Sequence, residues 1–234
     1  MNTRRIWVAW SLAALGALVA PGAGASPAGS DSRIISVPRV REPVTINAEP
    51  QTKKVWEADA GNTRNFVDAA GNGMVPYTEA KFRWGRDRLY LLLYAGDLDL
   101  EGRVTKNDSP IDQDDSFQIE FGAGKDVRAI AVSVLGTVND ARCTIEGDRR
   151  TCDARWRSRA RVAVDRDGTL NKVGDNDEEW VVEMSVPLAA LGIEHARPGT
   201  RIPVSIRRCE IGRDGPRACG AWGVAPHGEL VLER

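Results

Sequence analysis

Residues 112–124 read DQDDSFQIEFGAG: three aspartates run into an alternating strand that ends at a glycine loop. Phe117, Ile119 and Phe121 fall on one side of that run, and Ser116, Gln118 and Glu120 on the other. Strict period-two alternation marks a strand with one face buried and the other in water. The same period recurs in WVVEMSVP (180–187), whereas RLYLLLYA (88–95) is apolar at nearly every position and reads as a strand covered on both faces. Further candidate strands are VTIN (44–47), EAKFRW (79–84), VRAIAVSV (127–134), RARVAV (159–164), IPVSIRRC (202–209) and ELVLE (229–233).

Glycine, aspartate and asparagine punctuate these runs, and GRD (85–87) and DRDG (165–168) read as hairpin turns. Only PLAALG (187–192) reads as helical, a single turn opened by Pro187 and closed by Gly192. The expected fold is therefore all-β: an antiparallel β-sandwich of jelly-roll or immunoglobulin-like architecture with one short helical turn.

The ends of the chain carry different signals. Residues 1–25 combine Arg4 and Arg5, an apolar stretch from Ile6 to Ala20, and small residues at Ala23 and Ala25. That layout predicts a signal peptide and a periplasmic or extracellular protein. The stretch is shorter than the roughly 20 residues of a membrane span, so no membrane span is expected. Residues 26–43, rich in Ser, Pro and charge, read as a linker or N-terminal arm, with the sandwich over 44–234. A net charge of −1 with interspersed signs offers no basic stripe, so no nucleic-acid partner is expected.

Four cysteines allow three pairings. The local one, Cys143 with Cys152 and Cys209 with Cys219, is the economical choice, because each pair brackets a polar, turn-rich hairpin tip. A zinc site is the alternative, but close cysteine pairs or cysteine–histidine spacing are absent. The two histidines, His195 and His227, lie in GIEHARPG and APHGEL and read as loop residues, His227 also as a ligand contact. There is no glycine-flanked nucleophilic serine, paired-histidine metal helix or phosphate-cradling loop.

Six segments taken in order resemble a known family. VTINAEPQTKKVWEAD (44–59), RWGRDRLYLLLYAGDLDL (83–100), DDSFQIEF (114–121), EEWVVEMSVPLAALG (178–192), IPVSIRRCE (202–210) and AWGVAPHGELVL (221–232) are similar to family 9 carbohydrate-binding modules and related DOMON-like sandwiches. The resemblance implies a non-catalytic sandwich that holds a sugar end between two aromatic rings, with polar side chains on the hydroxyls. Trp222 matches the late stacking tryptophan, and Gln118 stands where the family has a glutamate. The loop that carries the second ring reads KNDSPIDQDD (106–115) and has no aromatic residue, its nearest equivalents being Ile111 and Asp112. The implied ligand contacts are Trp222, Gln118, His227 and Asp112. Trp56 and Trp180 match framework positions.

The family also carries structural calcium, which takes six to eight oxygen ligands. Asp97, Asp99, Asp108, Asp112, Asp114 and Asp115 converge on one loop region if strands 88–95 and 116–121 pair, which makes Asp97, Asp99, Asp108, Asp114 and Asp115 its expected ligands, with Asp175 and Asp177 as a second cluster. Asp115 and Ser116 read equally as hydrogen-bond anchors at the entry to their strand. Two other functions stay open: an exported scaffold that binds another exported protein, and a glycoside hydrolase in carbohydrate catabolism. The latter needs two carboxylates about 5–10 Å apart, a distance no sequence displays.

Overall fold

The computed structural model describes residues 33–172, 174–212, 217–223 and 228–234. The expected signal peptide lies outside the described residues. Two sheets form among them. The larger runs β1 (Ile34–Val37), β12 (Gly228–Leu232), β10 (Arg201–Glu210), β4 (Ser116–Phe121), β5 (Asp126–Ser133), β6 (Val138–Glu146) and β7 (Arg149–Asp153), and β11 (Ala218–Trp222) also pairs with β10. The smaller runs β2 (Thr78–Trp84), β3 (Arg88–Gly96), β9 (Glu179–Pro187) and β8 (Arg161–Asp167). Pairing is antiparallel except between β1 and β12.

The alternation that predicted the strands also builds the core. Phe117, Ile119 and Phe121 of β4 and Val204 and Ile206 of β10 face Leu89, Leu91 and Leu93 of β3 and Trp180, Val182 and Met184 of β9, all buried. The Phe117 and Trp180 rings meet across the layers with centroids 5.0 Å apart. The molecule is a β-sandwich, as the periodicity requires.

The continuous apolar run in β3 has a second cover. Tyr90 and Leu92 point away from the core, and Trp56, Val44, Ile46 and Val55 pack over them. One buried carboxylate holds this cover down. Glu183 Oε1 accepts the Trp56 indole N–H at 2.9 Å, and Oε2 accepts Asn47 N, Ala48 N and Lys53 Nζ at 3.1, 2.9 and 2.9 Å. VTIN therefore forms no strand. Its alternation reflects two apolar anchors laid on a finished sheet, whose edge hydrogen bonds it does not extend.

Other expectations need correction. Residues 34–37 of the proposed arm form β1, held by parallel pairing to β12, so the sandwich begins before residue 44. Residues 165–167 of DRDG extend β8 instead of turning. PLAALG forms a 3-10 turn at Leu188–Leu191 closed by left-handed Gly192, and two more 3-10 turns cover Pro50–Thr52 and Lys54–Trp56. Both disulfides, Cys143–Cys152 and Cys209–Cys219, join residues directly opposite each other on paired strands.

Candidate functional site

Strand register decides which candidate residues share a surface. On β10, Arg207 pairs with Gln118 of β4 on one side and Ala221 of β11 on the other. One residue earlier, Ile206 pairs with Ile119 and Trp222. Residues opposite one another project to the same face, and neighbours along a strand project to opposite faces. Gln118 therefore points away from the core, and Trp222 points toward it. The expectation that they contact one ligand is corrected: the sheet stands between them.

Trp222 is half-buried and packs against the main core. Its ring lies over Gly228, where an added Cβ would come within 2.4 Å of the indole Cη2 and Cζ3 atoms. The rest of the ring lines a shallow groove of about 290 Å³ with Ile34, Ser36, Asp59, Asn62 and Arg64. Among the described residues no second aromatic ring lines that groove.

The opposite, solvent-facing side of the eight-stranded sheet has a different make-up. Across it the register aligns Ala221, Arg207, Gln118, Ala131 and Asn139, and in the next row Ser205, Glu120, Ala129 and Ala141. Four alanines thus make a low floor from which Arg207 and Gln118 rise. Arg207 is exposed and Gln118 half-buried, and neither side chain has a hydrogen-bond or ion-pair partner among the described residues. Glu120 is paired with Arg150 at 2.7 Å. Sequence reasoning overlooked Arg207, because RR at 207–208 shows two arginines and only the register shows which one faces out.

The acidic loop frames one end of this face. Asn139 Nδ2 donates to the Ser109 carbonyl at 2.9 Å, tying the loop to β6. At the other end Arg217 donates to the Asp112 carbonyl and to Ser116 Oγ, tying it to β11 and β4. Ile111 is buried, Asp112 is exposed, and Asp108 is paired with Arg157 at 2.8 Å. Asp112 thus borders the face that carries Gln118. His195 is exposed in its loop, and His227 lies outside the described residues.

Of the remaining aspartates, Asp97, Asp99, Asp114, Asp115 and Asp177 are buried and Asp175 is half-buried. Asp114 accepts from Arg103 N and Val104 N, and Asp115 from Glu101 N at 2.7 Å and Ile211 N at 2.6 Å. Asp177 accepts from Leu100 N and Thr169 N, both at 2.7 Å, while Asp175 pairs with Lys172. Asp97 accepts from Trp180 Nε1 at 3.2 Å and from Arg208 Nη2 at 2.8 Å. Asp99 is buried beside it, its backbone N–H bonded to Asp97 Oδ1.

Burial pushes the Asp97 carboxyl up to about 6 against the pull of Arg208. Burial, and then the charge of Asp97, push Asp115 up to about 8.

The same carboxylates are the expected calcium ligands. The oxygens of Asp97, Asp114 and Asp115 are taken by N–H donors, and the cation beside Asp97 is the Arg208 guanidinium. Asp108 is drawn off to Arg157. Among the described residues no three acidic, histidine or cysteine side chains gather as a metal site would require. The reading of Asp115 as an anchor accounts for its contacts.

No protein-family model matches the chain, and no curated protein matches it. Solved structures do. A Bacteroides uniformis protein described as a candidate carbohydrate-binding protein aligns over 86% of this chain and 99% of its own, with 13% identity and a TM-score of 0.62. A family 9 carbohydrate-binding module from Caldicellulosiruptor kristjanssonii, solved with cellotriose, aligns over 86% and 93%, with 16% identity and a TM-score of 0.56. The glucose complex of a family 9 module from that organism aligns over 86% and 96%, with 17% identity and a TM-score of 0.55. The chain shares their fold.

Proposed function

We propose that this chain is an exported, non-catalytic carbohydrate-binding module whose ligand lies on the alanine-floored face of the eight-stranded sheet. The observation that carries the reading is the Arg207–Gln118 pair: two adjacent polar side chains, free of partners among the described residues, on an accessible face of a fold shared with sugar-bound modules. The amide offers both donors and an acceptor to hydroxyl groups, and the guanidinium adds charged donors. Low alanines allow a sugar ring to approach the sheet closely. Export is supported by the two disulfides, which persist in oxidising compartments. The strand carboxylate of this face, Glu120, is held by Arg150 at 2.7 Å, and among the described residues no second acid stands in its row of the floor, which supports binding over hydrolysis.

Titration calorimetry against neutral and acidic oligosaccharides tests this. Arg207→Ala and Gln118→Ala should each lower affinity about tenfold, the scale of one hydrogen bond to a charged or amide group. Absence of binding across the whole panel would sink the proposal.

A second reading places the sugar in the Trp222 groove, favoured by the half-exposed indole there. Trp222→Phe separates the two: affinity holds if the ligand lies on the Arg207 face, and falls if the indole is the platform.

A further inference from the structure

The charges around the alanine floor do not cancel. Arg207 is exposed and, among the described residues, has no carboxylate partner. Arg217, which reaches over the same face to Ser116, bonds a backbone carbonyl and a hydroxyl, both uncharged. Arg150 is matched by Glu120. The side chains between them are neutral: Gln118, Ser205, Asn139 and the four alanines. Asp112, exposed on the framing loop, is the single described acid to set against Arg207 and Arg217. Among the described residues a surplus of one positive charge remains on a face whose floor is apolar and low.

We infer that the ligand is an acidic saccharide, with the carboxylate of a hexuronate residue held by Arg207 and a neighbouring ring hydroxyl by Gln118. This rests on the carbohydrate-binding reading and adds the chemical class of the sugar. A guanidinium is planar and presents parallel N–H donors that match the two oxygens of a carboxylate. Side chains directly opposite on neighbouring strands stand about 5 Å apart at Cβ, so Arg207 and Gln118 span adjacent substituents of one pyranose ring. Gln118 is important here because it is uncharged. A carboxylate at that position would itself pair with Arg207 and repel a uronate; an amide leaves the guanidinium available and still bonds a hydroxyl.

The test is calorimetry on the disulfide-intact protein with trigalacturonate, triglucuronate, trigalacturonate methyl ester, cellotriose and a sulfated neutral trisaccharide. At least one free uronate should bind about tenfold or more tighter than the ester and cellotriose, one charge-assisted contact being worth that factor. Arg207→Gln should erase this preference, and Gln118→Glu should weaken uronate binding by about tenfold or more. Equal affinity for free acid and ester, or cellotriose binding without uronate binding, overturns the acidic-ligand inference and leaves the carbohydrate reading standing. Preference for the sulfated sugar overturns the carboxylate assignment. Arg207→Gln lowering all ligands by the same factor also overturns it, since the guanidinium would then be serving hydroxyls. No binding to any of the five overturns both readings.

Discussion

Arg208 Nη2 lies 2.8 Å from Asp97 Oδ2, and both side chains are fully buried. Its sequence neighbour Arg207 is exposed on the other face of the same strand. Alternation alone sends two identical residues to opposite fates: one becomes an internal cation and the other a candidate ligand contact. Glu210 shares the buried guanidinium at 2.7 Å, so Arg208 neutralises the acidic loops from inside.

Removing that cation should be costly. A buried ion pair broken on one side leaves an uncompensated charge, which destabilises by about 3–5 kcal/mol. Arg208→Met should lose stability on that scale in urea denaturation, whereas Arg207→Met should change it by less than about 0.5 kcal/mol, as exposed substitutions do. The double variant Asp97→Leu/Arg208→Met should recover part of the loss, because apolar replacement of the whole pair removes both desolvation terms. A single Arg208→Met variant as stable as the parent would contradict the assignment.

Stability should fall as pH rises through the neutral range. Asp97 and Asp115 titrate near 6 and near 8 in the folded protein, against 3.8 ordinarily. Below about 4 both states hold these protons. Between about 4 and 8 the folded state holds more of them, so raising the pH favours unfolding. Denaturation midpoints should therefore be higher at pH 5 than at pH 8. Asp115→Asn should flatten the dependence, since it removes the group with the higher folded value. A midpoint that rises steadily from pH 5 to pH 8 would show that backbone N–H bonds to Asp115 outweigh its burial.

The sandwich was legible in the sequence because burying one face of a strand forces period two. SFQIEF and WVVEMSVP show it directly, and the covered outer face of RLYLLLYA follows from its unbroken apolarity. What escaped were features set by partners far away in the chain. β1 is four residues, IISV, inside a stretch of prolines and charges, and pairing with β12 makes it a strand. Val44 and Ile46 alternate like a strand but are anchors for a strap tied to Glu183. Gln118 and its loop were legible through family resemblance. Arg207 beside Gln118, and Trp222 on the far face, depend on register, and register is a property of two segments that neither displays alone.

The disulfides should differ in what they control. Each closes a loop of nine or ten residues, worth about 2–3 kcal/mol in the chain-entropy picture. Cys143–Cys152 ties the sheet-edge hairpin of β6 and β7, while Cys209–Cys219 ties β10 to β11 beside Ser116 and Arg217. Replacing either pair with serine should lower thermal stability. Both bonds project to the proposed face, but Cys209 lies two residues from Arg207 on β10 whereas Cys143 lies beyond Ala141 toward the far edge. Replacing Cys209 and Cys219 should therefore weaken sugar binding more. Equal effects of the two double variants on affinity would argue that the ligand lies elsewhere.

Gly228 should tolerate no side chain while Trp222 keeps its place. A Cβ there would sit 2.4 Å from the indole ring, closer than atoms pack, and Val204 and Leu230 leave no slack in the buried neighbourhood. Gly228→Ala must push the indole toward the groove lined by Ser36 and Asn62, at a cost of about 1–3 kcal/mol, the usual penalty for overpacking. Trp222→Leu, by shortening the side chain that is struck, should restore much of that loss in the double variant, although alone it is destabilising. Tryptophan fluorescence adds a second readout: Gly228→Ala should shift emission to the red as the ring moves into water. If Gly228→Ala is neutral and the spectrum does not move, the ring does not rest on residue 228, and the placement of Trp222 on the core side of the sheet loses its main packing support.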